Sequence, residues 1–282
     1  MNIIILVFSP YGNTLKVSKS LARIMASNNL NVELIDITRN IKLWVHKQFN
    51  DFFTNLNQHD VLCIGAPVYA HLFPKNVLDF IEELPFPDGE KLGEYVIPFV
   101  TYGGVSSGIA LHDVSQRLIK RKRINILGMK VNSYHSLSQN IRKQNVGVLG
   151  QEINTLLIEL VHRLINLNLD DQQEYSDSFN YQINYQKPKE PEFSKIKIDS
   201  EKCKMCKKCL KRCPVQRIEF ASEYMTFNQV ECINCGECYF NCKFAAIDWN
   251  IIKFKPFLER VGELSEPVNE SKPYSAIYPL EK

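Results

Sequence analysis

The stretch NIIILVFSPYGNTLKVSKSLARIMASN, residues 2–28, combines a short apolar run, a small polar loop and an amphipathic segment. The run Asn2–Phe8 is rich in branched aliphatic residues, which is typical of a strand buried on both faces. The segment after the loop places its apolar residues roughly on one face of a helix. These residues are Leu15, Val17, Leu21, Ile24 and Met25. A buried strand followed directly by a helix predicts an α/β fold.

The same alternation continues to about residue 169. Further runs rich in isoleucine and valine predict four more strands, at Asn31–Ile37, Asp60–Gly65, Glu94–Thr101 and Ile124–Ser133. Amphipathic segments such as FPKNVLDFIEEL and QEINTLLIELVHRLINL lie between or after these runs. Five strands alternating with helices predict an open, doubly wound parallel sheet that is covered by helices on both faces.

Length and charge restrict the class of protein. A chain of 282 residues exceeds a typical single domain, which predicts two domains. The formal net charge is only +3, so the composition does not indicate a nucleic-acid partner. The opening apolar run is too short to span a bilayer, and no basic segment precedes it as in a secretory signal. We therefore expect a cytoplasmic protein without membrane insertion; the oligomeric state is not indicated.

The composition changes at Asp170. The segment DDQQEYSDSFNYQINYQKPKEPEF, residues 170–193, is polar and acidic and contains two prolines, which predicts a linker. An exposed meander packed on one domain is the alternative. The predicted division is an α/β domain at 1–169, the linker at 170–193, a smaller domain at 194–250 and a C-terminal tail at 251–282.

The loop FSPYGNT, residues 8–14, has the composition of an anion-binding turn. Gly12 permits a tight turn, and backbone N–H groups at the start of the following helix would point towards an anion. The alternative is an ordinary strand-to-helix turn capped by Asn13. The loop is neither a Walker loop nor a dinucleotide fingerprint, because it lacks the glycine and lysine spacings of both motifs.

Two further loops follow the third and fourth predicted strands, GAPVYAHLFP at 65–74 and TYGGVSSG at 101–108. In a doubly wound sheet of order 2-1-3-4-5, ligands bind beyond the carboxyl ends of the strands, where all three loops lie. Tyr69 and Tyr102 could flank a planar ring there. The predicted binding residues are Ser9, Tyr11, Gly12, Asn13, Thr14, Pro67, Val68, Tyr69, Thr101, Tyr102 and Gly103.

With these loops in order, residues 1–169 resemble flavodoxins. The resemblance implies FMN, with its phosphate on Ser9, Gly12, Asn13 and Thr14 and its isoalloxazine ring near the two tyrosines. Many flavodoxins have threonine at the position of Tyr11, so a hydroxyl close to the phosphate is missing here. Flavodiiron proteins are similar in carrying an aromatic residue at this position, so Tyr11 does not exclude FMN.

Eight of the nine cysteines lie in two runs, CKMCKKCLKRCP at 203–214 and CINCGECYFNC at 232–242. The second run repeats the spacing of the first, with Cys232 corresponding to Cys203 and Cys242 to Cys213, which predicts two similar half-modules. The pattern C-x₂-C-x₂-C-x₃-C-P is specific for bacterial iron–sulfur ligation, whereas structural zinc sites use separated cysteine pairs. The ninth cysteine, Cys63, lies in an apolar strand and is expected to be a buried hydrophobic residue.

Residues 195–250 resemble the two-cluster ferredoxins of anaerobes, a small α+β fold. The resemblance implies two [4Fe–4S] clusters and one-electron transfer, with the fourth cysteine of each run binding the other cluster. One cluster would take Cys203, Cys206, Cys209 and Cys242, and the other Cys232, Cys235, Cys238 and Cys213. The second run has Lys243 where the first has Pro214.

The first cysteine run is unusually basic. Residues 193–220 contain nine lysine and arginine residues against Asp199, Glu201 and Glu219. Complementary charge accelerates encounter, so this face predicts docking of an acidic redox protein such as an acidic ferredoxin. A solvated basic face is the alternative.

Taken together, the chain resembles the flavodoxin–ferredoxin fusion proteins of anaerobes. The leading hypothesis is an electron-transfer protein that moves electrons between low-potential one-electron partners and FMN. The alternative is a ferredoxin-linked flavin reductase that acts on a small-molecule acceptor, for which His71 and His112 are candidate proton donors. A redox sensor without turnover is a third class that no feature of the sequence favours.

Overall fold

The computed structural model describes residues 1–87, 92–103, 107–133, 150–169, 196–221, 224–228, 230–249 and 275–278. The predicted linker at 170–193 and most of the predicted tail therefore lie outside the described residues. Within the described residues, no helix is both long and apolar enough to cross a membrane.

The first domain is built on the predicted parallel sheet. Its strands are β1 (Asn2–Val7), β2 (Asn31–Asp36), β3 (His59–Pro67), β4 (Leu92–Tyr102), β5 (Ile124–Asn125) and β6 (Gly128–Asn132). Parallel pairing places them in the order β2-β1-β3-β4-β6, which confirms the flavodoxin-like order 2-1-3-4-5. The fifth predicted strand, Ile124–Ser133, is split, because β5 and β6 both pair with β4 at different points along it.

Helices cover both faces of this sheet, as predicted. They are α1 (Asn13–Ser27), α2 (Ile41–Trp44), α3 (Phe49–Thr54), α4 (Lys75–Glu82), α5 (Ala110–Lys120) and α6 (Gln151–Asn166). Buried residues of α1 and α6 pack in one core with Ile3 and Ile5 of β1. Buried residues of α2 to α5 pack in the other core with Ile4 and Leu6. Alternate residues of β1 therefore face opposite helical layers, which explains why its apolar run is continuous.

The cysteine module, described at 196–221, 224–228 and 230–249, is a small α+β unit with internal symmetry. It contains β7 (Lys197–Ile198), α7 (Lys208–Arg212), β8 (Ile218–Ala221), β9 (Tyr224–Phe227), α8 (Glu237–Asn241) and β10 (Ile247–Asp248). β7 pairs with β10 and β8 with β9, both antiparallel. Helices α7 and α8 have equal length and occupy equivalent positions in the two cysteine runs, as the sequence repeat predicts.

A strand from the C-terminal tail joins the first domain. β11 (Ala276–Tyr278) pairs antiparallel with β6 and forms the edge of the sheet. Ile277 is buried in the same core as α1 and α6. The sequence interpretation left this tail without an assigned strand.

The backbone of the cysteine module repeats as closely as its sequence does. Three residues of the first half adopt left-handed backbone conformations, with φ of 48°, 56° and 55°. Their equivalents in the second half do the same, with φ of 52°, 79° and 48°. The equivalent pairs are Met205 with Asn234, Lys207 with Gly236, and Gln216 with Ala245. Such conformations cost energy in residues other than glycine, so their recurrence indicates one shared local structure in both halves.

Candidate functional site

The predicted phosphate loop forms a tight turn at the carboxyl end of β1. Gly12 has φ +85°, and its N–H donates to the carbonyl of Ser9 at 3.1 Å. The Ser9 hydroxyl accepts a hydrogen bond of 3.0 Å from the N–H of Leu15, in the first turn of α1. The turn is anchored beyond β2 because the N–H of Ser9 donates to the hydroxyl of Thr38 at 2.6 Å. The start of α1 is thereby fixed beside the loop.

Two buried threonines join this loop to the end of β4. The hydroxyls of Thr14 and Thr101 are hydrogen bonded at 2.8 Å, and both residues are buried. They border a cleft at the carboxyl edge of the sheet. Its lining is Ser9, Pro10, Tyr11, Asn13, Thr14, Pro67, Tyr69, Thr101, Tyr102 and Ser133.

Most predicted flavin-binding residues therefore lie around one cleft. Gly12 shapes its loop, while Val68 and Gly103 lie next to lining residues without being part of the lining. Val68 instead pairs with β4, since its N–H donates to the carbonyl of Thr101 at 2.9 Å. Sequence interpretation did not include Pro10 or Ser133 in the binding site. Pro10 lies within the predicted phosphate loop and Ser133 ends the fifth predicted strand, so both lie at the carboxyl edge of the sheet.

Tyr69 lines the cleft from the loop after β3. Its backbone pairs with Leu72 across a turn in which Ala70 and His71 both have positive φ. The Tyr69 hydroxyl is buried and has no hydrogen-bond partner among the described residues. Burial raises the pKa of Tyr69 well above its ordinary value, and the nearby thiol of Cys235 raises it further. A buried donor without a partner fits a site completed by a bound group.

The two histidines proposed as proton donors lie elsewhere. Within the described part of the chain, neither His71 nor His112 is among the residues lining the cleft. The His71 carbonyl instead accepts a hydrogen bond from the N–H of Ile109, which joins two loops.

No disulfide joins any of the nine cysteines, all of which lie within the described residues. Cys63 is fully buried in β3, as expected for a hydrophobic residue, and burial raises its pKa to about 12. The other eight separate into two groups in space. The first set, defined as Cys203, Cys206, Cys209 and Cys242, lines one pocket near the surface.

The second set, defined as Cys213, Cys232, Cys235 and Cys238, lies deeper. Cys213, Cys235 and Cys238 are buried, whereas Cys206 of the first set is exposed. Burial raises the pKa of Cys235, and the thiols of Cys238, Cys213 and Cys232 add to the rise. The structure thus brings Cys213 to the cysteines of the second run and Cys242 to those of the first, which is the exchange that the sequence interpretation predicts.

Backbone hydrogen bonds to sulfur follow the same internal symmetry. The N–H of Arg217 donates to the Sγ of Cys213 at 3.2 Å, and that of Ala246 donates to the Sγ of Cys242 at 3.3 Å. In addition, the N–H of Asn234 donates to the Sγ of Cys232 at 3.3 Å. Such bonds stabilise a thiolate and tune the potential of a cluster bound to it.

The two halves differ at one backbone position. Gly236 lies against Trp249, so a Cβ there would come within 2.4 Å of the indole ring. Its counterpart Lys207 has the same left-handed conformation but is exposed, and its ammonium lies 4.0 Å from the ring centre of Phe220. Glycine is therefore required in the half that is packed into the protein, and lysine is tolerated in the half that faces solvent.

Among the described residues, no three cysteine, histidine or acidic side chains are placed to hold a single metal ion. A [4Fe–4S] cluster is larger than one ion, and its thiolates surround a cube. The burial, the grouping and the sulfur-directed N–H groups of the eight cysteines fit that larger group.

The cysteine module contacts the flavin-binding loop directly. The hydroxyl of Tyr11 donates to the carbonyl of Cys235 at 2.6 Å. Arg39, just after β2, donates to the carbonyl of Pro10 at 2.8 Å and to that of Arg212 at 3.1 Å. Its guanidinium also lies 3.4 Å from the carboxylate of Glu237, which is 2% exposed. Sequence interpretation missed Arg39 and Glu237, although Arg39 follows a strand at the binding edge.

A second group of contacts lies beside the first. The guanidinium of Arg217 donates to the carbonyl of Trp44 and forms an ion pair of 2.6 Å with Glu231. Glu231 also lies 3.2 Å from the ammonium of Lys47. Buried apolar residues of the module, including Val215 and Trp249, continue the core that contains Trp44. The two domains therefore share a packed interface of apolar and charged groups.

This interface divides the basic residues of the first cysteine run. Arg217 is buried in it, Arg212 lies 3.4 Å from Glu237, and Lys202 is paired with Asp199 at 2.8 Å. Three other lysines instead line the pocket of the first cysteine set, together with two exposed apolar residues. These are Lys204, Lys207 and Lys208, with Met205 and Phe244. Burial removes Arg217 from the basic face, whereas Lys197, Lys202, Lys211 and Arg212 stay exposed, and Lys204, Lys207 and Lys208 lie around the first set.

Two family models match separate parts of the chain. One is described as an NADPH-dependent FMN reductase and matches residues 1–133, which contain the phosphate loop and both tyrosine loops. The other is described as a 4Fe-4S dicluster domain and matches residues 195–243, which contain all eight cysteines of the two runs. The chain thus joins a segment that matches the FMN reductase model to a segment that matches the 4Fe-4S dicluster model, and its cofactors are FMN and two [4Fe–4S] clusters.

Individual proteins resemble parts of the chain. An uncharacterized protein of Methanocaldococcus jannaschii is 38% identical over 56 residues, which are 20% of this chain and 21% of that protein. A Streptococcus pneumonia TIGR4 flavodoxin is 13% identical with a TM-score of 0.42, covering 58% of this chain and 98% of its own. The rubredoxin oxygen:oxidoreductase of Desulfovibrio gigas is 15% identical with a TM-score of 0.41, covering 57% of this chain and 34% of its own.

Proposed function

We propose that this protein transfers electrons between low-potential one-electron partners and FMN through two [4Fe–4S] clusters. The observation that carries the proposal is the contact between the flavin cleft and the cysteine module. Tyr11 lines the cleft, and its hydroxyl is bonded to the carbonyl of Cys235 at 2.6 Å. A flavin site and a cluster site that share a hydrogen-bonded boundary are suited to internal electron transfer.

The flavin phosphate would be bound where β1 meets α1. The backbone N–H groups at the start of α1 and the dipole of this helix favour an anion there. Gly12 gives the loop its tight turn, and the buried pair Thr14 and Thr101 fixes the floor of the cleft. The proposed binding residues of this loop are Ser9, Tyr11, Gly12, Asn13 and Thr14.

The flavin ring would lie between the other two loops. Tyr69 and Tyr102 line the cleft from different loops and would flank the ring, while the backbone around Pro67, Val68 and Gly103 would contact its polar edge. When bound, FMN exchanges one or two electrons and each cluster exchanges one. The chain itself supplies position, hydrogen bonds and exclusion of water.

The eight cysteines would hold the clusters as two crossed sets. Cys203, Cys206 and Cys209 would bind one cluster together with Cys242, which lines the same pocket. The triad of the second run would bind the other cluster together with Cys213. Sulfur-directed N–H groups would stabilise the thiolates of both crossing cysteines.

The first cysteine set would exchange electrons with an acidic redox protein. Cys206 is exposed, and the pocket around it is lined by three lysines and by the exposed apolar residues Met205 and Phe244. An apolar centre surrounded by one sign of charge favours a short-lived encounter with a partner of opposite charge. An acidic ferredoxin has that charge.

The test is anaerobic reconstitution followed by rapid mixing with a reduced ferredoxin. We expect FMN and two four-iron clusters per chain, and bleaching of the flavin that requires the clusters. Replacing Cys206 with alanine should abolish this bleaching, while Cys63→Ala, which removes a buried cysteine outside the module, should not. Flavin reduction at an unchanged rate in Cys206→Ala would contradict transfer through the clusters.

The match to the FMN reductase model favours one second candidate, a flavin reductase acting on a small-molecule acceptor. The sequence contains no nicotinamide fingerprint, so a reduced ferredoxin is the expected electron source for this reaction too. Assays with NADPH as the electron donor and with quinones as electron acceptors separate the two functions. Steady turnover of a small acceptor would favour the reductase, and its absence together with fast protein-to-protein transfer would favour the carrier.

A further inference from the structure

The two cysteine sets differ in how they are placed relative to the flavin cleft. Tyr11 of the cleft is bonded to Cys235, a member of the second set. Arg39, which is bonded to Pro10 of the cleft, faces Glu237, and this residue lies between Cys235 and Cys238 in the chain. The first set lines a pocket without any residue of the cleft. The second set is therefore the one joined to the flavin site.

Burial divides the sets in the same way. Cys235 and Cys238 are 7% and 6% exposed, while Cys206 is exposed to solvent. The buried Tyr69 hydroxyl, which has no hydrogen-bond partner among the described residues, lies in the cleft near Cys235 and Tyr11. One set is therefore enclosed against the flavin domain, and the other faces the surface where a partner can dock.

We propose that the cluster of the second cysteine set is the direct electron partner of FMN, and that Tyr11 is the positioning residue that couples them. This inference rests on the proposed function and adds to it the order of electron transfer. Electrons pass from a partner at the docking face to the cluster of the first set, then to the cluster of the second set, and then to FMN. Each electron that passed would leave the second-set cluster oxidised by one electron and FMN reduced by one. A reduced one-electron donor protein, docked at the first set, replaces that electron.

The geometry explains why Tyr11 has this role. Its side chain lines the cleft, and its hydroxyl donates a 2.6 Å hydrogen bond to the carbonyl of a cysteine that belongs to the second set. The path from the flavin site to this ligand thus consists of one side chain and one hydrogen bond. A threonine, which many flavodoxins have here, is too short to span from the loop to Cys235. The residue that departs from the flavodoxin pattern is therefore the one that joins the two cofactor sites.

Arg39 stabilises the same boundary between the flavin domain and the cysteine module. It donates to the carbonyls of Pro10 and Arg212, and its own N–H donates to the carbonyl of Pro214 at 3.0 Å. These bonds join the residue before Tyr11 to the turn that contains Cys213. Arg39 therefore holds the two domains together independently of the Tyr11–Cys235 hydrogen bond. Removing the Tyr11 hydroxyl should change the electronic coupling between the flavin site and the second set without separating the domains.

The first part of the test identifies the cluster that senses the flavin. Redox titration by EPR of the full chain, with FMN bound and after its removal, should shift the midpoint potential of one cluster only. Cys213→Ala and Cys242→Ala assign the signals, because each variant alters one cluster. We expect the shifted signal to be the one that Cys213→Ala alters. A shift confined to the signal that Cys242→Ala alters would overturn the proposed order.

The second part tests Tyr11. Tyr11→Phe keeps the ring and removes the hydrogen bond, and Tyr95→Phe is the matched control, since its hydroxyl donates to the carbonyl of Leu169 at 2.9 Å away from the cleft. With equal FMN and iron content, cluster-to-flavin transfer in Tyr11→Phe should be slower by about tenfold. The shift in the midpoint potential of the second-set cluster on FMN removal should also become smaller. Unchanged rate and unchanged shift would overturn the role of Tyr11.

The two proposals fail in different ways. If the wild-type clusters do not reduce the flavin, the proposed function is wrong, but the titrations still show which cluster senses FMN. If the wild type transfers electrons and Tyr11→Phe does so equally fast, the function stands and the role of Tyr11 is wrong.

Discussion

Arg39 and Glu237 form an ion pair across the boundary between the flavin domain and the cysteine module, with 3.4 Å between Nη2 and Oε2. Glu237 is 2% exposed, so its carboxylate depends on protein partners in place of water. Arg212 provides a second cation, also at 3.4 Å. Because Arg39 is also bonded to the phosphate loop, this pair fixes the flavin site relative to the module.

Replacing Arg39 with alanine should destabilise the folded protein. The variant leaves a buried carboxylate with one cation fewer and removes the side-chain donor to two backbone carbonyls. Leaving a buried polar group without its partner costs about 1–3 kcal/mol, and thermal unfolding of the reconstituted chain measures the loss. Arg163→Ala is the control, since its pair with Glu159 joins neighbouring turns of α6 near the surface, and such pairs contribute about 0.5 kcal/mol or less.

A double variant separates the ion pair from the backbone bonds of Arg39. If the cost of Arg39→Ala arises from the unpaired carboxylate, Glu237→Gln should remove part of that cost when the two are combined. If the losses in unfolding free energy of the two single variants simply add up in the double variant, the stabilisation by Arg39 arises from its bonds with Pro10 and Arg212.

Replacing Thr14 with leucine should abolish flavin binding and leave the iron content intact. Thr14 is 1% exposed and is bonded to Thr101 at the floor of the cleft, so a larger apolar side chain would both break this bond and enter the proposed phosphate site. Flavin and iron analysis of the purified protein measures both effects. Thr155→Leu on the exposed face of α6 is the matched control and should retain both cofactors. Normal flavin content in Thr14→Leu would place the phosphate elsewhere.

The parts of this molecule that could be predicted from sequence are those set by neighbours along the chain. Strand periodicity, the turn at Gly12 and the cysteine spacing each act within a few residues, so the parallel sheet and the loops of the cleft followed from the sequence. The repeated cysteine spacing likewise predicted the equivalence of α7 and α8.

The contacts that join the two sites depend on residues far apart in the chain. Tyr11 and Cys235 are separated by 224 positions and Arg39 and Glu237 by 198, and no local pattern marks either pair. Tyr11 was predicted as a flavin-binding residue and as a departure from the flavodoxin pattern, but its contact with Cys235 was not predicted. Burial of Arg217 likewise depends on the other domain, so the sequence did not distinguish this residue from the exposed basic residues. Strand β11 was not predicted since its partner β6 lies in the first domain.

Reversing the charge of Lys204, Lys207 and Lys208 should slow electron exchange with an acidic ferredoxin. These lysines line the pocket of the first cysteine set, and attraction between opposite charges increases the association rate. Replacing all three with glutamate should reduce the rate by about tenfold or more at low ionic strength and weaken its dependence on salt. Stopped-flow mixing at several salt concentrations measures both quantities.

The control for this variant carries the same change in net charge at other exposed positions. Lys19, Lys120 and Lys122 lie on the surface of the flavin domain, and replacing them with glutamate should have a much smaller effect on the rate. Equal slowing by both triple variants would assign the effect to net charge and contradict a defined docking face.

Cluster ligation provides the last prediction, and the structure makes it specific. Cys242 lines the pocket of Cys203, Cys206 and Cys209, while the thiol of Cys213 is close enough to those of Cys232, Cys235 and Cys238 to raise the pKa of each.

A short helix, α7 or α8, ends directly before each crossing cysteine. Removing the Cys242 thiol should therefore leave the first-set cluster with three thiolate ligands and convert it to a three-iron form, while the second-set cluster stays whole. EPR spectra of oxidised and reduced protein distinguish the two forms. Cys206→Ala should alter the same signal as Cys242→Ala, and Cys235→Ala the same signal as Cys213→Ala. If Cys242→Ala and Cys235→Ala instead alter one signal in common, each run binds its own cluster and the crossed ligation is wrong.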